Sequence, residues 1–170
     1  MYGGDQFSGA LPSGIGDMKA LKELRIENNS LSGKIPSKIF QLQYLEIMSI
    51  ADNHFSGSLP DVPGLVNLIF LNASNNALDG PLPSNSTSWK KLSIIDLHSN
   101  EMTGEIPTGF YALSNLKLIY LHANSFSGSI KRLDGWMSAE DIYLQDNEFS
   151  GNIPSIGPES LRDLGKDFLV

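Results

Sequence analysis

One phrase returns along the whole chain, and its clearest copy runs Leu21-x-x-Leu24-x-Ile26-x-x-Asn29-x-Leu31-x-Gly33-x-Ile35-Pro36. The position of Asn29 recurs at Asp5, Asn29, Asn53, Asn76, Asn100, Asn124 and Asn147, so successive units are 24, 24, 23, 24, 24 and 23 residues long. Such a period marks a solenoid. One unit cannot bury its apolar face alone, whereas stacked units share a continuous core.

The columns of this repeat assign the interior. Two residues after the asparagine stand Phe7, Leu31, Phe55, Leu78, Met102, Phe126 and Phe149; six after it stand Leu11, Ile35, Leu59, Leu82, Ile106, Ile130 and Ile153. Both columns face inward. Between them every unit carries glycine, at 9, 33, 57, 80, 104, 128 and 151, which calls for a positive φ or a close backbone approach. Proline follows in six of the seven units, with Lys131 breaking the column, and its fixed φ holds the chain extended after the turn. Ahead of each asparagine, apolar residues such as Leu45, Met48 and Ile50 alternate as one short parallel strand per unit. The asparagine amide, turned inward, can donate to and accept from backbone groups that a buried turn leaves unpaired.

On the far arc, Ile15, Ile39, Val62, Phe110 and Leu133 form one apolar column and Met18, Leu42, Leu65, Trp89, Leu113 and Trp136 another, which suits helical or 3₁₀ turns. Ser86 interrupts the first column, within Ser84-Asn85-Ser86-Thr87-Ser88, and that arc is expected to be irregular and mobile.

These residues resemble the plant-type leucine-rich repeat, LxxLxLxxNxLSGxIP. Ser32-Gly33-Lys34-Ile35-Pro36 and Ser150-Gly151-Asn152-Ile153-Pro154 carry the half that separates this subclass from others, and the match covers roughly residues 5–154. The resemblance implies an α/β-type repeat solenoid, a right-handed superhelix with a concave parallel β-sheet. It further implies second short strands made by the Gly-x-Ile-Pro segment, and 3₁₀ or short-helix turns on the convex side. It also implies recognition rather than catalysis, as in ectodomains of receptor-like kinases and receptor-like proteins and in polygalacturonase inhibitors. Two features depart from the family: cysteine-paired caps are usual there and this chain has no cysteine, and Met1 leads straight into a half-unit without a signal peptide. An excised fragment of a longer chain and an uncapped member from outside land plants both fit. One solenoid over 1–170 is expected, with a partial first coil at 1–12, six full coils at about 13–154, and a partial coil or cap at 155–170 where Leu161 to Phe168 begins another unit. Uncapped ends expose core edges, so a sticky N-terminal face around Phe7, Leu11 and Ile15, and association through the ends, are expected.

Charge narrows the partners. Lys and Arg number 12 against 19 Asp and Glu, a net charge of −7, and nucleic acid needs a basic face. No run is apolar enough to insert into a membrane, and the cysteine-free composition leaves the redox compartment open. Three N-x-[ST] sequons, at Asn28, Asn72 and Asn85, are close to chance. The resemblance places the chain outside the cell or on its surface.

The binding surface follows from the alternation. Residues six before each asparagine read Glu23, Ile47, Phe70, Ile94, Leu118 and Asp141; four before, Arg25, Ser49, Asn72, Asp96, Tyr120 and Tyr143. Two before stand Glu27, Ala51, Ser74, His98, His122 and Gln145, and one before Asn28, Asp52, Asn75, Ser99, Ala123 and Asp146. All four columns are expected to face out of the concave sheet. The candidate ligand-binding residues are Phe70, Asn72, Ile94, Asp96, His98, Leu118, Tyr120, His122, Tyr143 and Gln145, an apolar ribbon flanked by the aromatic residues with polar tips that anchor interfaces. A competing reading has the ribbon sheltered by its own coil. Six acids against Arg25 in these columns favour a neutral or cationic ligand, whether protein, peptide or glycan.

Other readings are weaker. His98 and His122 with Asp96 could hold zinc with an open position, but exposed histidines on a sheet are common, and no metal or cofactor is expected. Nucleophile-elbow, phosphate-loop and zincin motifs are all missing, so no enzyme is expected. A structural or adhesive segment of a longer array remains an alternative. Ice binding is another, resting on the Ser8, Ser32, Ser56, Thr103, Ser127, Ser150 ladder that Asp79 interrupts.

Overall fold

The glycine column sets the path of every coil. In the computed structural model, which describes residues 7–131 and 133–152, all seven of these glycines have φ between 71° and 83°. A residue with a Cβ pays about 1–2 kcal/mol for that left-handed conformation. The strands run in chain order as β1 (Ser8–Ala10), β2 (Glu23–Arg25), β3 (Ser30–Lys34), β4 (Ile47–Ser49), β5 (His54–Ser58), β6 (Phe70–Asn72), β7 (Ala77–Gly80), β8 (Ile94–Asp96), β9 (Glu101–Gly104), β10 (Leu118–Tyr120), β11 (Ser125–Ser129), β12 (Asp141–Tyr143) and β13 (Glu148–Ser150). Even-numbered strands form the concave parallel sheet in the order β2-β4-β6-β8-β10-β12, and odd-numbered strands form the second sheet. The second strands start just after each asparagine and end within one residue of the glycine, rather than running through Gly-x-Ile-Pro. Proline cannot donate to a ladder; Ile35 instead enters the core and Pro36, at φ −59° and ψ 124°, leads into a 3₁₀ turn.

Between the sheets lies one core. Leu45, Met48, Ile50, Phe55, Leu71, Ile95, Ile119 and Phe126 are completely buried. The asparagine column closes the polar accounts of this core. Asn53 Nδ2 donates to the carbonyls of Ile50 and Ala51 in its own coil and of Ile26 in the preceding one, while its Oδ1 accepts from the Leu31 N–H. At the N-terminal end Phe7 and Met18 are exposed and Ile15 is half-buried, but Leu11 is covered; the open face is narrower than the columns predict. Asp5, Ile153, Pro154 and the segment 155–170 lie outside the described residues.

The far arc carries 3₁₀ turns at Ser13–Asp17, Ser37–Gln41, Ser84–Ser88, Phe110–Ala112 and Asp134–Trp136. Ser84–Ser88, expected to be irregular, is regular because Asp61 organises it from the coil before. Its carboxylate accepts from the Ser84 hydroxyl at 2.7 Å and the Asn85 N–H at 2.9 Å. Those bonds, Ser84's first, hold Asp61 below the ordinary carboxylate range. The irregular arc is the one that contains Asp61 itself. Its unit is one residue shorter, Leu65 takes φ 53°, and a Cβ on Gly64 would stand 1.9 Å from the Phe40 carbonyl oxygen. Ser86 sits fully buried, and among the described residues its hydroxyl has no hydrogen-bond partner. Because an unsatisfied buried hydroxyl is costly, Ser86→Ala is expected to raise stability by about 1 kcal/mol. The check is a higher urea midpoint with an unchanged slope.

Candidate functional site

Strand register brings the outward columns together. Ile47, Phe70, Ile94 and Leu118 are in-register partners across β4, β6, β8 and β10, about 4.8 Å apart. Each is half-buried, so the ribbon neither joins the core nor stands free. Next to it Asn72, Asp96, Tyr120 and Tyr143 pair in the same order. The rings of Tyr120 and Tyr143 stack at 5.1 Å and 17°. Behind them His98 and His122 stack at 4.7 Å, nearly parallel. Edge contacts from His122 to both tyrosines join the two stacks into one four-ring cluster.

Polar contacts hold this cluster in place. Asp96 Oδ1 takes His98 Nδ1 at 2.6 Å and the His98 N–H at 3.2 Å. Asn72 Oδ1 accepts from both the hydroxyl and the N–H of Ser74, turning its side chain along the sheet. Burial, then the nearby Asp141, Tyr143 and Asp96, push the Tyr120 hydroxyl above its ordinary value. Among the described residues His122 Nδ1 and Gln145 Oε1 are buried without hydrogen-bond partners. Among the described residues no three His, Cys, Asp or Glu side chains are grouped to hold a metal.

The family model described as Leucine Rich Repeat matches residues 20–42 and 91–113. The Arabidopsis receptor kinase HAESA, solved with the peptide hormone IDA and the co-receptor SERK1, superposes with a TM-score of 0.85 at 35% identity, over 88% of this chain and 25% of that one. The plant peptide hormone receptor RGFR1 with RGF2 gives 0.80 at 30% identity, over 87% and 24%. The BIR2 ectodomain from Arabidopsis thaliana gives 0.67 at 28%, over 76% and 69%. The chain folds as a leucine-rich repeat solenoid and resembles plant receptor ectodomains. It spans about a quarter of the first two receptors it matches, and no curated protein sequence matches it.

Within this repeat protein all ten candidate residues lie partly or largely exposed on the concave sheet or the turns that follow it. Not every outward position is open. Ser49, Ala51 and Ser74 are buried, because short side chains on the floor of a concave surface are covered by longer neighbours. Sequence reasoning missed Asp141 as a member of the cluster, since the four coils before it fill its column with apolar residues. It also missed the backbone of the fourth column. Asn28, Asp52, Asn75, Ser99, Ala123 and Asp146 all have φ between 52° and 58°, and the Asn and Asp there, the residues that best tolerate this conformation, were the available signal.

His122 yields a pH dependence. Burial first, then His98, hold it below the ordinary value of 6.5, against opposing pulls from Asp96 and Asp146. The unfolded chain therefore takes up the proton before the folded one. The contribution of neutral His122 to stability is present above pH 6.5 and is lost as pH falls through its folded value. Titration by NMR is expected to place the His122 midpoint below that of an unfolded histidine, and His122→Phe to flatten the acid-side fall in stability.

Proposed function

We propose that the concave sheet of this leucine-rich repeat protein binds a peptide or an extended protein segment outside the cell, as part of a receptor ectodomain. The observation that carries this reading is the half-buried ribbon of Ile47, Phe70, Ile94 and Leu118 running beside the four-ring cluster. Aliphatic anchors beside amphipathic rings are what a binding surface concentrates. HAESA, RGFR1 and GASSHO1/SCHENGEN3, whose structures hold peptide or factor ligands, support a peptide over other ligand classes. The excess of acidic side chains in the outward columns favours a cationic or neutral ligand, and recognition without catalysis accords with the family.

A random peptide library panned on the immobilised chain tests this reading. Ile94→Glu, in the ribbon, is expected to lose the selected pool, and Lys90→Glu, on the opposite arc, to retain it. A pool that survives Ile94→Glu and vanishes with Lys90→Glu moves the binding surface off the concave sheet.

A further inference from the structure

Strand β10 lies between β8 and β12. Tyr143 therefore covers one face of the Tyr120 ring, and the other face looks along the ladder toward Asp96. Here the aromatic column stops, and the next positions hold Asn72 and the buried Ser74. The step is bordered by carboxylates, and the Asp96 side chain within it is 16% exposed. Asp96 and Asp141 both lie close enough to Tyr120 to raise its hydroxyl, one from each neighbouring strand. Among the described residues neither acid has a lysine or arginine partner, and Lys117, the nearest cation along these strands, is paired with Glu140 at 3.3 Å. Among the described residues the Asp96 carboxylate hydrogen-bonds only His98, through Oδ1.

We propose that this step is a subsite for an arginine side chain of the bound peptide, stacked on the free face of Tyr120 and paired with Asp96, with Asp141 adding negative charge from the strand on the other side. The inference rests on the concave-face reading and names the chemistry that surface selects. The carboxylates call for a cation, and the ring face calls for a planar one. A guanidinium is flat, delocalised and weakly hydrated; it stacks on aromatic faces and offers several donors at once. An ammonium is compact and strongly hydrated, so lysine gains the charge but not the stacking. The ribbon of Ile94 and Leu118 beside the step then takes an aliphatic side chain of the same peptide.

The library-selected peptides, resynthesised, are the probe. Arginine is expected to be enriched in the pool, and its replacement by citrulline, which keeps the shape and removes the charge, to weaken binding by about tenfold. Lysine in its place is expected to fall between. Asp96→Asn is expected to erase the preference for arginine over citrulline and Asp141→Asn to reduce it, with the Asp141 variant deciding if loss of the His98 bond disturbs the fold. A pool lost with Ile94→Glu yet indifferent to citrulline overturns the subsite and leaves the concave-face reading standing. A pool untouched by Ile94→Glu removes both, as does retention of neutral oligosaccharides by a chain that selects no peptide.

Discussion

Replacing Asn100 by alanine is expected to lower the unfolding free energy by about 2–3 kcal/mol, because each buried polar group left without a partner costs about 1–3 kcal/mol. One amide serves four backbone groups. Its Nδ2 donates to the carbonyls of Ala73 and Leu97 at 3.0 Å and of His98 at 3.3 Å, and its Oδ1 accepts from the Leu78 N–H at 3.0 Å. Alanine removes all of these while the backbone stays in place. Asn29 sits near the N-terminal end and, among the described residues, donates only within its own coil, to Ile26 and Glu27. Asn29→Ala is therefore expected to cost less. Urea unfolding of the two variants measures both; equal small losses would mean that the amide ladder does not hold the coils together.

The second large effect is on binding. Tyr120→Ala with Tyr143→Ala is expected to weaken the library-selected peptides by at least about 30-fold, the scale of a hot-spot truncation. Stability should fall by only about 1 kcal/mol, the worth of an aromatic pair, since Tyr120 is half-buried and Tyr143 is 39% exposed. Lys90→Ala with Lys91→Ala is the control. Both lysines are exposed on the opposite arc, and charges remote from a contact change affinity little. Calorimetric titration of the two double variants separates the cases, and loss confined to the lysine variant would reject the concave sheet as the binding surface.

The fold was legible because a solenoid writes its contacts periodically. A residue in one coil meets its equivalent in the next, so columns in the sequence are columns in space, and the glycine φ values and asparagine amides follow from column identity alone. The arc at Ser84–Ser88 was misread for the opposite reason. Ser86 breaks the apolar column, yet the turn is organised by Asp61 from the preceding coil, a contact that belongs to this one pair of coils. The site was legible as a set of outward positions and not as an arrangement. Nothing in the repeat states that His98 leans on Asp96, that Asp141 borders Tyr120, or that Ser74 is roofed over while His98 is not.

By itself the sequence determined the coil length, the parallel order of the strands, the inward columns and the ten outward candidates, since each depends on offsets within one repeat. Only the tertiary structure decided which outward side chains lie open, which rings stack and where the aromatic column ends. Those outcomes depend on differences between adjacent coils, on side-chain length over a curved sheet and on the distances at which rings and carboxylates meet across strands. A period, which states what the coils share, does not carry them.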